Sequence, residues 1–317
     1  MLNCKELRTF GIRAEKSFFA CGGGACRFAG RKEDAISIAK EKLPGRDRGH
    51  SPGKLFVVGI GPGGKLDRTR RAEEAIAASQ VVAGYARYLE QIADLTGGKQ
   101  LISSGMTQEV ERCGRALECA ARGATVALVS SGDAGIYGMA GLALEMAGAL
   151  ATPIRIEIVP GVSAASAAAA RLGAPLMLDF AAISLSDLLV PWPAIRRRLE
   201  AVAGADLVAA LYNPRSKKRT RQIEEAAEIF SAHRPASTPV GIATAVGSDA
   251  EQIVLSTLGR FLGCDIGMRS IVIIGNRSSR ITRGWFVTPR GYDLARATRP
   301  QAEPVAPSQR SRRPRKP

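Results

Sequence analysis

Short apolar runs alternate with amphipathic stretches along most of this chain, beginning near residue 54. Runs such as residues 55–60 and 124–130 have the length of buried strands, whereas residues 107–122 repeat apolar positions with a helical period. Strands that alternate with helices favour an α/β fold, in which a parallel sheet carries helices on both faces. The apolar face predicted for the helix over 107–122 consists of Val110, Cys113, Leu117 and Ala121.

The same pattern predicts the remaining elements. In the first half, further strands are expected at 81–83, 99–102 and 154–159, and further helices at 69–78, 85–95, 138–149 and 163–171. The second half is also α/β but less regular. It has expected strands at 180–184, 207–211, 240–245, 252–257 and 270–274, and expected helices at 193–203 and 219–232.

The length of 317 residues suggests two domains and is enough for a sizeable core. A break in the pattern near residues 172–176 divides them, so we predict an N-terminal α/β domain at 54–173 and a C-terminal one at 174–294. Residues 1–53 form an N-terminal extension that ends in a polar linker rich in proline and glycine. Residues 295–317 are predicted to be a disordered basic tail.

Four glycine- or proline-containing loops follow predicted strands in series, at residues 59–64, 130–137, 160–163 and 211–216. Glycine at the carboxyl end of a strand permits positive φ and lets a ligand touch the main chain. In open α/β sheets, ligands bind at these strand ends. The sequence therefore predicts a small-molecule site built from strand ends.

Gly59, Gly61 and Gly64 satisfy the dinucleotide-binding pattern G-x-G-x-x-G. That site also needs an acidic residue after the second strand, and residues 81–85 provide none. A nicotinamide cofactor is therefore not favoured. No lysine followed by serine or threonine completes a Walker loop either.

Two polar residues in the loops have alternative roles. Asp133 is suited equally to binding a ribose or an amine of a ligand and to capping the following helix. Ser163 is predicted to cap a helix rather than act as a nucleophile, because the only histidines are His50 in the linker and His233 at a helix end.

The charge is strongly positive, at +16. The tail from residue 296 contributes seven basic residues against one acidic residue, and we expect it to be solvated without binding a specific nucleic acid. A second basic run, residues 215–221, could bind carboxylates or phosphates through arginine, or could be a solvated helix start. The remaining positive charge suits an anionic small molecule.

Cysteine spacing and hydropathy argue against a metal-binding protein and against a membrane protein. Cys21 and Cys26 lack the C-x-x-C spacing and a second pair, so no metal site is predicted. No apolar run reaches the roughly 18 residues of a membrane span. We therefore expect a cytoplasmic protein with reduced thiols and no membrane association.

With its loops in this order, the chain resembles the tetrapyrrole (corrin and porphyrin) methyltransferases over residues 54–292. Within that family it is most similar to the precorrin-3B C17-methyltransferases. The resemblance rests on the segments 59–64, 82–85, 130–139, 183–192, 211–219 and 274–276. Segments 183–192 and 211–219 are the most specific of these.

The resemblance implies an S-adenosylmethionine (SAM) pocket between two α/β domains, an anionic tetrapyrrole substrate and a homodimer. In this family, methylation at C17 accompanies contraction of the ring. Asp187 and Tyr212 are the implied candidates for proton transfer, and Arg215 and Lys217 for binding the substrate carboxylates. The C17 group usually carries a histidine before an Asp-Phe pair, where this chain has Leu178. The implied cofactor-binding residues are Pro62, Ser131, Gly132, Asp133, Ile136, Ser163, Ala164, Tyr212 and Val246.

Two alternatives stay open at this point. A methyltransferase of the same fold could act on another tetrapyrrole position or on RNA, although segments 183–192 and 211–219 argue against RNA. A nucleic-acid-binding protein without catalysis is disfavoured because aromatic residues make up only 5% of the chain and no RNA-binding motif is present.

Overall fold

The computed structural model describes residues 53–150 and 153–293. Predictions about Cys21, Cys26, His50 and the basic tail lie outside these residues. The first half forms a five-stranded sheet in the order β3-β2-β4-β1-β5, and every neighbouring pair is parallel, as predicted. Its strands are β1 (Lys54–Gly59), β2 (Val81–Tyr85), β3 (Gln100–Ser104), β4 (Thr125–Ser130) and β5 (Arg155–Val159).

Helices cover both faces of this sheet, which confirms the predicted layering. One face packs against α1 and α2 around Ile76 and Leu89, and the other against α3 and α4 around Leu117 and Ala143. Thr69 begins α1, since its hydroxyl accepts a hydrogen bond from the Ala72 amide at 3.1 Å. The helices are α1 (Arg70–Ala77), α2 (Ala86–Gln91), α3 (Glu109–Ala121), α4 (Ala140–Gly148) and α5 (Ala164–Leu172).

Two helix predictions need correction. The helix expected at 85–95 is α2 followed by a separate 3₁₀ turn, Ala93–Leu95. The predicted apolar face of α3 is wrong at Val110, which is 63% exposed, because α3 turns a different arc toward the sheet. Its buried residues include Cys113, Ala116 and Leu117.

The second half forms a mixed five-stranded sheet in the order β10-β9-β11-β8-β7. β7 and β8 are parallel, and the other neighbours are antiparallel. The strands are β7 (Phe180–Ser184), β8 (Val208–Tyr212), β9 (Pro239–Thr244), β10 (Gln252–Thr257) and β11 (Ser270–Ile274), and the helices are α6 (Trp192–Gly204) and α7 (Arg221–Ser231).

Three very short strands form a small additional sheet in the order β12-β13-β6. The apolar pattern did not predict them, because each has only two or three residues. They are β6 (Gly173–Ala174), β12 (Arg280–Thr282) and β13 (Trp285–Val287). No helix in the described ranges is long and apolar enough to cross a membrane.

Helix α5 connects the two sheets. It follows β5 in the chain, yet its buried alanines pack in one cluster with Val208, Ala210 and Ile273 of the second sheet. The loop that precedes α5 and the first residues of α5 are therefore held between the two sheets. The domain boundaries proposed above remain predictions.

Candidate functional site

A cavity of about 320 Å³ lies where the carboxyl ends of the first sheet meet the second sheet. This volume is at the lower end of the range for small-molecule sites. Its walls come from the loops after β1, β4 and β5, from β2 and α2, and from the ends of β8, β9 and β11. The lining residues are Pro62, Tyr85, Arg87, Tyr88, Gln91, Met106, Ser131, Gly132, Asp133, Ile136, Tyr137, Ser163, Ala164, Tyr212, Asn213, Ala245, Val246, Ser248, Met268, Arg269, Ser270 and Ile271.

Glycines bring three strand ends into direct main-chain contact at this cavity. A Cβ on Gly161 would lie 2.2 Å from the Gly132 carbonyl oxygen and 2.6 Å from that of Gly59. Gly61 and Gly132, with φ of 80° and 67°, also exchange two backbone hydrogen bonds of 3.1 and 2.7 Å. Only glycine fits these positions, so main chain forms this part of the wall.

Asp133 joins two of these loops. One carboxylate oxygen accepts from the Gly135 amide at 2.7 Å, and the other accepts from the Gly161 amide at 3.0 Å. It does not cap the next helix, because α4 begins at Ala140 after Met139 and has no side-chain cap. Each carboxylate oxygen keeps one lone pair for a ligand.

Ser163 caps α5, as predicted. Its hydroxyl accepts a hydrogen bond from the Ser166 amide at 3.1 Å. Ser163 and Ala164 both line the cavity, so the start of α5 faces it. His233 is exposed, as expected for a residue at a helix end.

Two tyrosines connect the halves across the cavity. Their rings, Tyr137 and Tyr212, are 5.0 Å apart. The Tyr212 hydroxyl accepts from the Ala165 amide at 3.1 Å, whereas the Tyr137 hydroxyl donates to the Ala182 carbonyl at 2.9 Å and accepts from the Ser184 amide. Burial raises the pKa of both phenols, so both remain protonated at neutral pH.

A second backbone contact joins the two halves on another side of the cavity. A Cβ on Gly63 would lie 2.5 Å from the Val246 carbonyl oxygen, so these loops touch through their backbones. Nearby, Arg171 pairs with both Asp67 and Glu251 at 3.3 Å. These contacts fix Pro62 and Val246, which line the cavity, relative to each other.

Every residue predicted to bind the cofactor lines this single cavity. Asp187, a candidate for proton transfer, does not line the cavity. It is exposed and accepts a hydrogen bond from the side-chain amide of Gln222 at 2.8 Å. Arg215 donates to Glu224 at 3.3 Å, and Lys217 is exposed, so neither belongs to the cavity walls.

The sequence analysis missed one wall of the cavity, formed by residues on β2 and α2 and the loop after β3. Its members are Tyr85, Arg87, Tyr88, Gln91 and Met106. A signal was available, because parallel strands β2 and β3 end at the same sheet edge as β1, β4 and β5. Polar residues on a helix as short as α2 look like an ordinary solvent-exposed surface, so the sequence analysis did not include them in the site.

Two sheets that meet at a glycine-walled cavity define an α/β protein with a small-ligand site at its strand ends. Residues 54–262 match the family model of the Tetrapyrrole (Corrin/Porphyrin) Methylases. The chain therefore belongs to this family and is a methyltransferase.

Named relatives agree with this assignment. The chain is 46% identical over 240 residues to a probable cobalt-factor III C(17)-methyltransferase of Salmonella typhimurium, covering 76% of this chain and all of the relative. It is 42% identical to a precorrin-3B C(17)-methyltransferase of Sinorhizobium sp, covering 76% and 97%. The crystal structure of the methyltransferase CobJ matches with a TM-score of 0.70 and 36% identity, covering 75% of this chain and 100% of that one.

Proposed function

We propose that this protein transfers a methyl group from SAM to C17 of a precorrin in cobalamin biosynthesis, with contraction of the ring. The proposal is carried by similarity to C17-methyltransferases over 76% of this chain and nearly their whole length, and it is supported by one cavity lined by every implied cofactor residue. The relatives' names include both cobalt-factor III and precorrin-3B, so both acceptors are candidate substrates.

The residues of the cavity fit SAM. Gly59 and Gly161 leave no room for a Cβ, and Gly132 has a positive φ that favours glycine, so a ligand can lie against main-chain atoms. Asp133 keeps acceptor capacity for ribose hydroxyls or the methionine amine, and Val246 offers an apolar contact for the adenine. When bound, SAM supplies a methyl group already activated by its positive sulfonium.

The protein's own contribution is then position and exclusion of water. Methyl transfer requires in-line approach at about 3 Å, and it needs no protein nucleophile. The Tyr137 and Tyr212 contacts and the Gly63–Val246 contact hold the two halves in register around the cavity.

The candidates for proton transfer during ring contraction are Asp187 and Tyr212, and Tyr212 is the better placed of the two. Its hydroxyl accepts from the Ala165 amide and also interacts with the Ser163 hydroxyl, so donating its proton to a ligand would replace the contact with Ser163. Burial raises its pKa, so it suits the role of a proton donor rather than a base. Asp187 lies outside the cavity walls, and Leu178 has no group that transfers protons.

Other parts of the proposal rest on the family resemblance alone. They are a homodimeric state, a cytoplasmic location, and contacts from Arg215 and Lys217 to substrate carboxylates. Because Arg215 pairs with Glu224 in the structure, a carboxylate ligand would have to compete with that ion pair.

Calorimetric titration tests the cofactor directly. We expect S-adenosylhomocysteine to bind at one molecule per chain, and NADH and NADPH to show no binding. Binding of a nicotinamide cofactor instead, or no binding of S-adenosylhomocysteine, would contradict the proposed function.

A further inference from the structure

One wall of the cavity holds no residue assigned to the cofactor. It consists of Tyr85, Arg87, Tyr88 and Gln91, and is called the α2 wall below. Met106, in the loop that follows β3, lies beside it on the cavity surface.

The order of the strands places this wall at one end of the site. The loops after β4, β1 and β5 contain most of the proposed cofactor residues, and these strands are adjacent in the sheet. β2 and β3 lie to one side of all three, and the α2 wall follows β2. The cavity therefore has a cofactor end and a second end along the same sheet edge.

The polar groups of the α2 wall lack partners within the described residues. Arg87 is exposed and forms no hydrogen bond or ion pair with any described residue. The Tyr88 hydroxyl likewise has no hydrogen-bond partner among the described residues. The Gln91 side-chain oxygen is buried without a partner. The Arg87 guanidinium and the Tyr88 hydroxyl line the cavity and are therefore available to a ligand.

The chemistry of these groups indicates the ligand. An arginine guanidinium binds a carboxylate through two parallel hydrogen bonds. The rings of Tyr85 and Tyr88 meet edge to face at 5.2 Å and offer an aromatic surface beside it. A carboxylate attached to a large flat ring matches both features.

We propose that the α2 wall is the acceptor subsite, in which Arg87 binds a carboxylate side chain of the tetrapyrrole and the two tyrosines contact the ring. This inference rests on the proposed function. A carboxylate held by Arg87 fixes the rotation of the macrocycle about its own axis. Arg87 would thereby help to select which ring carbon faces the methyl donor.

The test is a titration of the acceptor, precorrin-3B or cobalt-factor III, into the complex with S-adenosylhomocysteine, followed by absorbance. Wild type is compared with Arg87→Ala, Arg87→Lys and Arg122→Ala. Arg122 is a matched exposed arginine that lies after α3 and before β4, at the opposite end of the sheet.

Arg87→Ala should weaken acceptor binding roughly 10-fold or more, as expected for a charged hydrogen bond. Its affinity for S-adenosylhomocysteine should stay within about twofold, since Arg87 lies away from the cofactor end. Lysine should restore part of the affinity, because it keeps the charge but not the bidentate geometry. Arg122→Ala should match wild type in both titrations.

Equal acceptor affinity in Arg87→Ala and wild type would overturn the subsite. So would an equal loss of acceptor and S-adenosylhomocysteine binding, which would place Arg87 at the cofactor end. Failure of the proposed function gives a different result: the acceptor binds, and binding depends on Arg87, but wild type transfers no methyl group from SAM to C17.

Discussion

Replacing Gly161 by alanine tests whether the main-chain contact of three strand ends forms the cofactor site. The new Cβ would lie 2.2 Å from the Gly132 carbonyl oxygen, a distance that real Cβ atoms essentially never show. The backbone must therefore move by roughly 1 Å, and overpacking of this kind costs about 1–3 kcal/mol of unfolding free energy. A displacement of that size in a reacting site lowers the rate by on the order of 10²-fold.

Denaturant unfolding measures the first effect, the rate of methyl transfer measures the second, and titration with S-adenosylhomocysteine shows whether the cofactor site itself is disturbed. Gly141→Ala is the matched control, because Gly141 is exposed within α4 and its Cβ would meet nothing within 4 Å. Alanine there should stabilise the protein by roughly 0.5–1 kcal/mol and leave ligand binding unchanged. If Gly161→Ala unfolds like wild type and binds S-adenosylhomocysteine equally well, the proposed glycine contact does not form the site.

Two further predictions concern stability. Ser163→Ala removes the helix cap that accepts a hydrogen bond from the Ser166 amide. The unfolding free energy should therefore fall by about 1 kcal/mol and the Tm by roughly 2–4 °C. An unchanged melting curve would show that the cap contributes nothing. Hydrogen bonds from Arg71 and Lys54 lower the pKa of Glu157 from 4.5 to about 2, so its ion pairs stabilise the fold above pH 4.5 and stop doing so as the pH falls toward 2. Glu157→Gln should therefore be less stable than wild type at neutral pH, with the difference in unfolding free energy shrinking across that interval, and a difference independent of pH would contradict the assignment.

The elements that the sequence predicted well are those whose signal is local. β1 and β4 are continuous apolar runs because both faces of a parallel sheet are buried, and the glycines that follow them mark the strand ends. β12 and β13 gave no signal, since strands of three residues show no usable alternation. Val110 was placed on the wrong side of α3 because the pattern alone does not fix which arc of a helix is covered.

The site could be predicted only where its chemistry coincided with strand ends. Residues 131–136 follow β4 directly, so their position at the cavity could be inferred. The basic run near Arg215 looked like an anion site, but the sequence does not reveal that Glu224 pairs with that arginine. Arg87 looked like one more surface cation, because only the folded sheet brings α2 to the cavity.

The most direct test of the central claim is the product formed from SAM carrying a labelled methyl group and precorrin-3B or cobalt-factor III. The account predicts that the purified protein places the label on C17 of a ring-contracted product, as NMR of the isolated compound would show. A label at another ring carbon, or no transfer to either acceptor, would contradict it.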